Sequence, residues 1–153
     1  MPKIVTAMLA RNEADRYLRR VLENVRSLTN HTVVLDDGST DNTAGIAREL
    51  GATVLPNPAS SAAGWWGAAA EGPARQALWE AASALAGPEG WVYVADADHE
   101  LLGVNQADLQ ALSRASRINA WCWPLCDCWD SDEQHRIDGY WQGWKISRPW
   151  MVR

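Results

Sequence analysis

Asp96 and Asp98 stand two positions apart, directly after the apolar run Trp91-Val92-Tyr93-Val94-Ala95. Hard cations such as Mg2+ or Mn2+ prefer oxygen ligands, and usually bind through one or two carboxylates plus substrate phosphates. A metal held there against a diphosphate offsets the negative charge that develops on a departing nucleoside diphosphate. A bare D-x-D is common in proteins; its place right behind a buried-strand pattern gives this one weight. Two more apolar runs end in polar clusters, at Arg11-Asn12-Glu13 and at Asp36-Asp37. Acidic groups at such strand ends suit the hydroxyls and base of a nucleotide. Asp36-Asp37-Gly38-Ser39-Thr40 also has the composition of a plain turn leading into a helix cap. Its company with a second acidic strand end favours the ligand role.

The elements that must position these residues read as βαβ units, short apolar runs alternating with helical periodicity. Residues 4–9 form a continuous apolar stretch, as expected of a buried parallel strand. Over 14–27 the spacing predicts a helix with Leu18, Val21, Leu22, Val25 and Leu28 on one face. Its arginines and Glu23 fill the other face. A second strand spans 32–35, and a helix over 43–50 stops at Gly51. A third strand covers 52–55. Residues 56–72 read as a long loop of small residues carrying Trp65 and Trp66, followed by a helix over 73–85 with Pro73 at its first position. The strand at 91–95 delivers the D-x-D pair, and a helix near 106–113 precedes extended, Trp-rich sequence. In open parallel sheets ligands bind at the carboxyl ends of strands where the strand order reverses.

With 153 residues the chain suits one domain with its own core. A net charge of −5 argues against broad capture of nucleic acid or anionic lipid, though not against a local basic site for a diphosphate. No window approaches the ~20 apolar residues of a membrane span. The first residues run straight into a strand without a signal-peptide core, so a cytoplasmic location is expected. Cys122, Cys126 and Cys128 are the only cysteines, an odd, clustered set that fits a reducing compartment better than a disulfide framework. Their spacing, with His135 the only imidazole nearby, is a poor zinc set. The chain has ten Trp and no Phe. Trp121, Trp123, Trp129, Trp141, Trp144 and Trp150 crowd the last part of the chain. Indole faces stack on sugars, and they also pack cores where Phe is lacking; both readings stay open for the group.

Taken together, 6–14 (Thr-Ala-Met-Leu-Ala-Arg-Asn-Glu-Ala) and 34–43 (Val-Leu-Asp-Asp-Gly-Ser-Thr-Asp-Asn-Thr) resemble family 2 inverting glycosyltransferases with the GT-A fold. Gly72-Pro73-Ala74-Arg75-Gln76 and 94–100 (Val-Ala-Asp-Ala-Asp-His-Glu) continue the pattern in the same order, so the resemblance covers about residues 3–102. It implies an α/β fold, a mainly parallel Rossmann-like sheet flanked by helices. It also implies a nucleoside-diphosphate sugar as partner, an acceptor of unstated kind, and Mg2+ or Mn2+ as cofactor. By the same resemblance the loop Ala10, Arg11, Asn12 and Glu13 borders the base, and Asp36 or Asp37 hydrogen-bonds base or ribose. Arg75 approaches the nucleotide from its helix. Asp96 faces the ribose or a metal water, Ala97 joins the nucleotide-sugar contact, and Asp98, with Asp96, makes the metal site. Without the family pattern, Arg75 reads as an ordinary solvated helix arginine.

An inverting transferase needs a general base for the acceptor hydroxyl, and in the resembling family that carboxylate lies well beyond the D-x-D. Here Asp127, Asp130, Asp132, Glu133 and Asp138 are the candidates, although a polar hairpin with surface carboxylates accounts for each. The expected organisation is a single GT-A domain, with a nucleotide-sugar-binding half over 1–102 and the start of an acceptor-side part over 103–153. The final residues read as mid-strand sequence, so truncation is expected. A nucleotide-sugar-binding module lacking its own base is the alternative function. A sugar-phosphate nucleotidylyltransferase ranks lower, because Ala10-Arg11-Asn12-Glu13 is not the Gly-rich basic loop that holds a triphosphate. A dinucleotide-binding Rossmann domain fails for want of G-x-G-x-x-G.

Overall fold

The computed structural model describes residues 1–57, 68–124, 128–129, 131–135 and 147–153; side chains are described at all of these except 68–70, 128–129, 131–135 and 147–148. A six-stranded sheet forms its centre. The strands are β1 (Ile4–Ala10), β2 (His31–Asp36), β3 (Thr53–Pro56), β4 (Trp91–Asp96), β5 (Ala120–Pro124) and, last in the chain, β8 (Ser147–Val152). Their order across the sheet is β3-β2-β1-β4-β8-β5. The first four are mutually parallel, and β8 runs antiparallel between β4 and β5. A separate antiparallel pair joins β6 (Cys128–Trp129) to β7 (Ser131–His135).

Every residue of β1 is buried, because helices cover both faces of its sheet. Ile4, Met8 and Ala10 point into a core shared with the helices α1 (Leu18–Leu28), α2 (Thr43–Glu49) and α4 (Gln106–Ser113). Val5, Ala7 and Leu9 point the other way, onto Ala74, Leu78, Ala82 and Ala86 of α3 (Ala68–Ala86). The period-two alternation of a strand thus feeds two cores at once. All five apolar positions expected on the first helix are its buried residues. α4 opens with a capping box in which Asn105 accepts from the amides of Ala107 and Asp108, and the Asp108 carboxylate accepts from the Asn105 amide. Such a cap contributes about 1 kcal/mol.

Two boundaries differ from the sequence expectation. α1 begins at Leu18 rather than near 14, since residues 14–17 form turns whose entry is tied to another loop: the Glu13 and Ala14 amides donate to Thr43 and Asp41. Pro73 is not the first helical residue. α3 starts five residues earlier, at Ala68, and Pro73 sits in its second turn, where it forgoes one intrahelical donor.

The chain reaches β2 and β3 on one side of β1 and then crosses to β4 on the other. The order therefore reverses between β1 and β4, and a crevice opens beyond their carboxyl ends. Among the described residues no helix is long and apolar enough to cross a membrane.

Candidate functional site

The crevice is real and polar. A cleft of about 270 Å³ is lined by Leu9, Ala10, Arg11 and Glu13 from the end of β1, Glu71 and Arg75 from α3, and Asp96, Ala97 and Asp98 from the end of β4. Seven of the residues expected to bind nucleotide or metal line this one space, although they come from three separated stretches of sequence.

On the β1 side the loop after β1 is zipped to the loop after β2. Asn12 adopts a left-handed φ of 53°, a conformation asparagine tolerates better than most residues. Its side-chain oxygen accepts from the Thr40 amide at 2.8 Å, and its own amide donates to Ser39 Oγ at 3.0 Å. Asp41 accepts from the Ala14 amide at 3.0 Å and from the Thr43 amide at 2.9 Å. Burial pushes the Asp41 carboxyl up, but these bonds and that from the Thr43 hydroxyl outweigh it and hold it below its ordinary value. Asn12 therefore serves as a structural tie and does not line the cleft.

Asp37 is buried at 6% exposure and its amide donates to Ala10 O at 2.9 Å. Its carboxylate accepts from Arg11 Nη1 at 3.2 Å and from Asn57 Nδ2 at 2.5 Å. Asp36 ends β2, accepting weakly from the Ser39 amide at 3.4 Å while its carbonyl accepts from the Asn57 amide at 3.0 Å. Neither aspartate lines the cleft itself; Asp37 reaches it through Arg11. Asn57 was not visible as a site residue in the sequence. Its role depends on where β3 ends, and a lone Asn before Pro58 signals only a turn.

On the β4 side, Asp96 closes the strand and the His99 amide donates to its carbonyl at 3.1 Å. That turn carries Ala97 and Asp98 over the cleft. Asp96 and Asp98 are 40% and 54% exposed at their side chains, so a cation has access to both. Arg75 Nη2 lies 3.5 Å from Asp96, and its Nε donates to Glu71 at 2.6 Å. Burial alone would lower the Arg75 pKa, but Glu71 and Asp96 raise it overall. Glu71 is a second residue missed in the sequence. The i,i+4 spacing to Arg75 was its signal, hidden because the helix was expected to begin at Pro73.

Glu13 points a carboxylate toward the same space. One oxygen accepts from Arg16 at 3.1 Å, while Oε2 is buried with no hydrogen-bond partner among the described residues. Burial, with Asp98 and Asp41 adding repulsion, raises its pKa despite Arg16. Four carboxylates, Glu13, Glu71, Asp96 and Asp98, thus face two guanidiniums, Arg11 and Arg75. That surplus of negative charge suits a divalent cation.

Two carboxylates are also what a Mg2+ or Mn2+ ion shared with substrate phosphates asks of a protein. No group of three His, Cys, Asp or Glu side chains among the described residues stands ready to hold a metal alone. The donor set therefore fits an ion completed by phosphate and water, and does not fit an all-protein cage.

Of the base candidates, Asp127, Asp130 and Asp138 lie outside the described residues. Asp132 and Glu133 sit on β7 of the two-stranded hairpin, with their side chains outside the description. Trp65, Trp66 and Cys126 also lie outside it. Cys122 is exposed on β5. Trp121, Trp123 and Trp150 pack against the core, and Trp91 is fully buried. For these four, packing is the observed role.

An open α/β sheet with a D-x-D turn at its switch point places the protein in the GT-A class of folds. The chain belongs to glycosyltransferase family 2, whose model, "Glycosyl transferase family 2", matches residues 6–103. Uncharacterized glycosyltransferases of Rickettsia are similar to it. One from R. prowazekii (strain Madrid E) is 40% identical over 58 residues, 38% of this chain and 20% of that protein. One from R. conorii (strain Malish 7) is 31% identical over 99 residues, 65% of this chain and 30% of that protein. The matched stretches thus span less than a third of these relatives.

Among solved structures, mannosyl-3-phosphoglycerate synthase from Rubrobacter xylanophilus superposes with a TM-score of 0.54 at 20% identity, over 76% of this chain and 38% of that one. Mannosyltransferase PcManGT from Pyrobaculum calidifontis, in complex with GDP-Man and Mn2+, gives 0.53 at 19% identity, over 84% and 36%. At these identities the likeness speaks for the fold.

Proposed function

We propose that the cleft between β1 and β4 is the donor site of a metal-assisted glycosyltransferase. It takes a nucleoside-diphosphate sugar with Mg2+ or Mn2+, and the sugar passes to an acceptor hydroxyl with inversion. One observation carries this reading: the D-x-D turn, Arg75 and the β1 loop converge on one cleft at the switch point of the sheet. The complexes of similar folds with GDP-Man and Mn2+, or with UDP and Mn2+, accord with it.

In this reading Asp98, with Asp96, holds the ion. When bound, the ion supplies charge that offsets the negative charge growing on the leaving diphosphate. Arg75 exchanges its contacts with Glu71 and Asp96 for the diphosphate. The loop Ala10–Glu13 borders the base, and Asp37, oriented by Arg11 and Asn57, hydrogen-bonds the base or ribose, with Asp36 beside it. Ala97 lets the backbone approach the ribose. Residues 1–102 form the donor half, and 103–153 begin the acceptor side. Asp130, Asp132, Glu133 and Asp138 are the candidates for the base.

The family match ends at residue 103, ahead of every base candidate, which favours a second reading: a nucleotide-sugar-binding module that relies on other residues for the base. The two separate in one experiment. The chain is incubated with Mn2+ and a panel of UDP-, GDP- and dTDP-sugars, with and without acceptors, and nucleoside diphosphate release is followed. Release that depends on metal and acceptor is expected. Metal-dependent binding without turnover under any acceptor selects the module, and no binding at all removes both.

A further inference from the structure

The Trp-rich segment is the most distinctive feature of the sequence, and the donor site leaves it unused. Its last strand nonetheless touches that site. Trp150 of β8 meets His99 edge to face, with ring centroids 5.2 Å apart and planes at 90°. Its indole N–H donates to the Trp123 carbonyl on β5 at 3.0 Å, which fixes the ring in place. His99 in turn lies between the two carboxylates of the D-x-D turn. Its Nδ1 is 3.5 Å from Asp96 Oδ2 and its Nε2 is 3.7 Å from Asp98 Oδ1. The imidazole is 22% exposed, and Nδ1 is buried without a hydrogen-bond partner among the described residues. The ring stands within 3.7 Å of both carboxylates, so its placement limits where each can turn.

We propose that Trp150 is a positioning residue for the D-x-D pair, acting through His99. This rests on the donor-site reading above. Groups behind a metal's ligands orient them, and their loss typically weakens metal binding by ~10–100-fold. His99 faces the carboxylates without a short hydrogen bond, so the effect here falls at or below the lower end. The opposite side of the turn is already braced. Asn24 of α1 donates to Leu101 O at 3.2 Å and accepts from the Leu101 amide at 3.1 Å, and Arg20 pairs with Glu100. From the sheet side, Trp150 of β8 reaches His99. The strand thus couples the acceptor-side part of the chain to the geometry of the donor's metal.

The test is a Mn2+ titration followed by electron paramagnetic resonance, on the full chain alone and with saturating UDP or GDP. Trp150→Ala is expected to weaken Mn2+ binding roughly five- to tenfold, and Trp150→Phe, which keeps an aromatic edge, to stay within about twofold. His99→Phe keeps the ring contact but removes both nitrogens, and is expected to match Trp150→Ala. Combining Trp150→Ala with His99→Phe should cost no more than either alone. Trp150→Leu serves where Trp150→Ala does not fold. Unchanged Mn2+ affinity in Trp150→Ala or Trp150→Leu, or losses that simply add with His99→Phe, overturns the proposal. If the wild-type chain binds no Mn2+ in any condition, the donor-site reading falls with it.

Discussion

The two rims of the cleft are built by different means. The β1 rim is held by its own loops: Asn12, Ser39, Thr40, Asp41 and Thr43 knit residues 12–14 to residues 39–43 with hydrogen bonds to backbone amides. The β4 rim has few such bonds within itself. Its turn is braced from α1 by Asn24, 77 residues earlier, and from β8 by Trp150. Side-chain to backbone bonds hold a rim in shape before a ligand arrives, so the β1 rim is preorganised. The β4 rim depends on packing between elements remote in sequence, and its Asp96 and Asp98 carboxylates stay exposed. In the proposed donor site, this arrangement presents a finished surface to the nucleoside and an unfinished one to the ion and diphosphate.

Substitutions on each rim test that separation. The largest effect belongs to Asp98→Ala. It should abolish Mn2+-dependent nucleotide binding, exceeding the ~10–100-fold loss typical of groups behind a ligand, and leave the melting temperature unchanged, since Asp98 is more than half exposed. Calorimetric affinity equal to wild type would remove Asp98 as a ligand. Next comes Asp37→Ala. Hydrogen bonds to charged groups contribute about 1.5–3 kcal/mol, so nucleotide affinity should fall roughly tenfold or more, while Mn2+ binding in the absence of nucleotide stays as it was. A change in Mn2+ binding by Asp37→Ala would show that the rims are not independent. An unaltered nucleotide affinity would move the role to Asp36 or elsewhere.

The same contrast explains what the sequence disclosed. Strands β1, β2 and β4 and helix α2 were legible because continuous apolar runs and a terminal glycine are local signals. Asp96, Asp98 and Arg11 were legible as candidates because each sits directly behind such a run, whereas Arg75 came only from the family resemblance. Asn57 and Glu71 were not. The first acts through a partner 20 residues away, and the second through a helix start that Pro73 disguised. The insertion of β8 between β4 and β5 was also hidden. The pairing of Tyr93 with Met151 joins strands far apart in the chain, and nothing in either segment names its neighbour. The role of Trp121, Trp123 and Trp150 in packing became clear only with that topology, whereas Trp91 already read as part of a buried strand.

Smaller effects sharpen the electrostatic side of the comparison. In the proposed donor site Glu71 competes with the diphosphate for Arg75, and it adds negative charge to the cleft. Glu71→Gln should therefore tighten binding of UDP or GDP, whichever the chain takes. Both partners are about 40% exposed, so the gain is modest, roughly two- to fivefold. The gain should vanish in an Arg75→Gln background. Weaker binding in Glu71→Gln would mean that Glu71 presents Arg75 instead of withholding it.

The smallest effect is one of stability, at Glu13. Burial raises its folded pKa above the ordinary 4.5, so the folded chain holds this proton more tightly than the unfolded chain. The stability linked to it is present below about pH 4.5 and is lost as pH rises through the folded value. Glu13→Gln, which carries no such charge, should melt higher than wild type at pH 7. The gap should close as pH falls below 4.5, where the carboxyl is protonated in both states. A gap that stays constant from pH 7 to pH 4 would assign the difference to packing. A wild-type chain that melts higher at pH 7 would show that the Arg16 contact outweighs the burial of Oε2, and that this corner of the cleft is built for a negative charge.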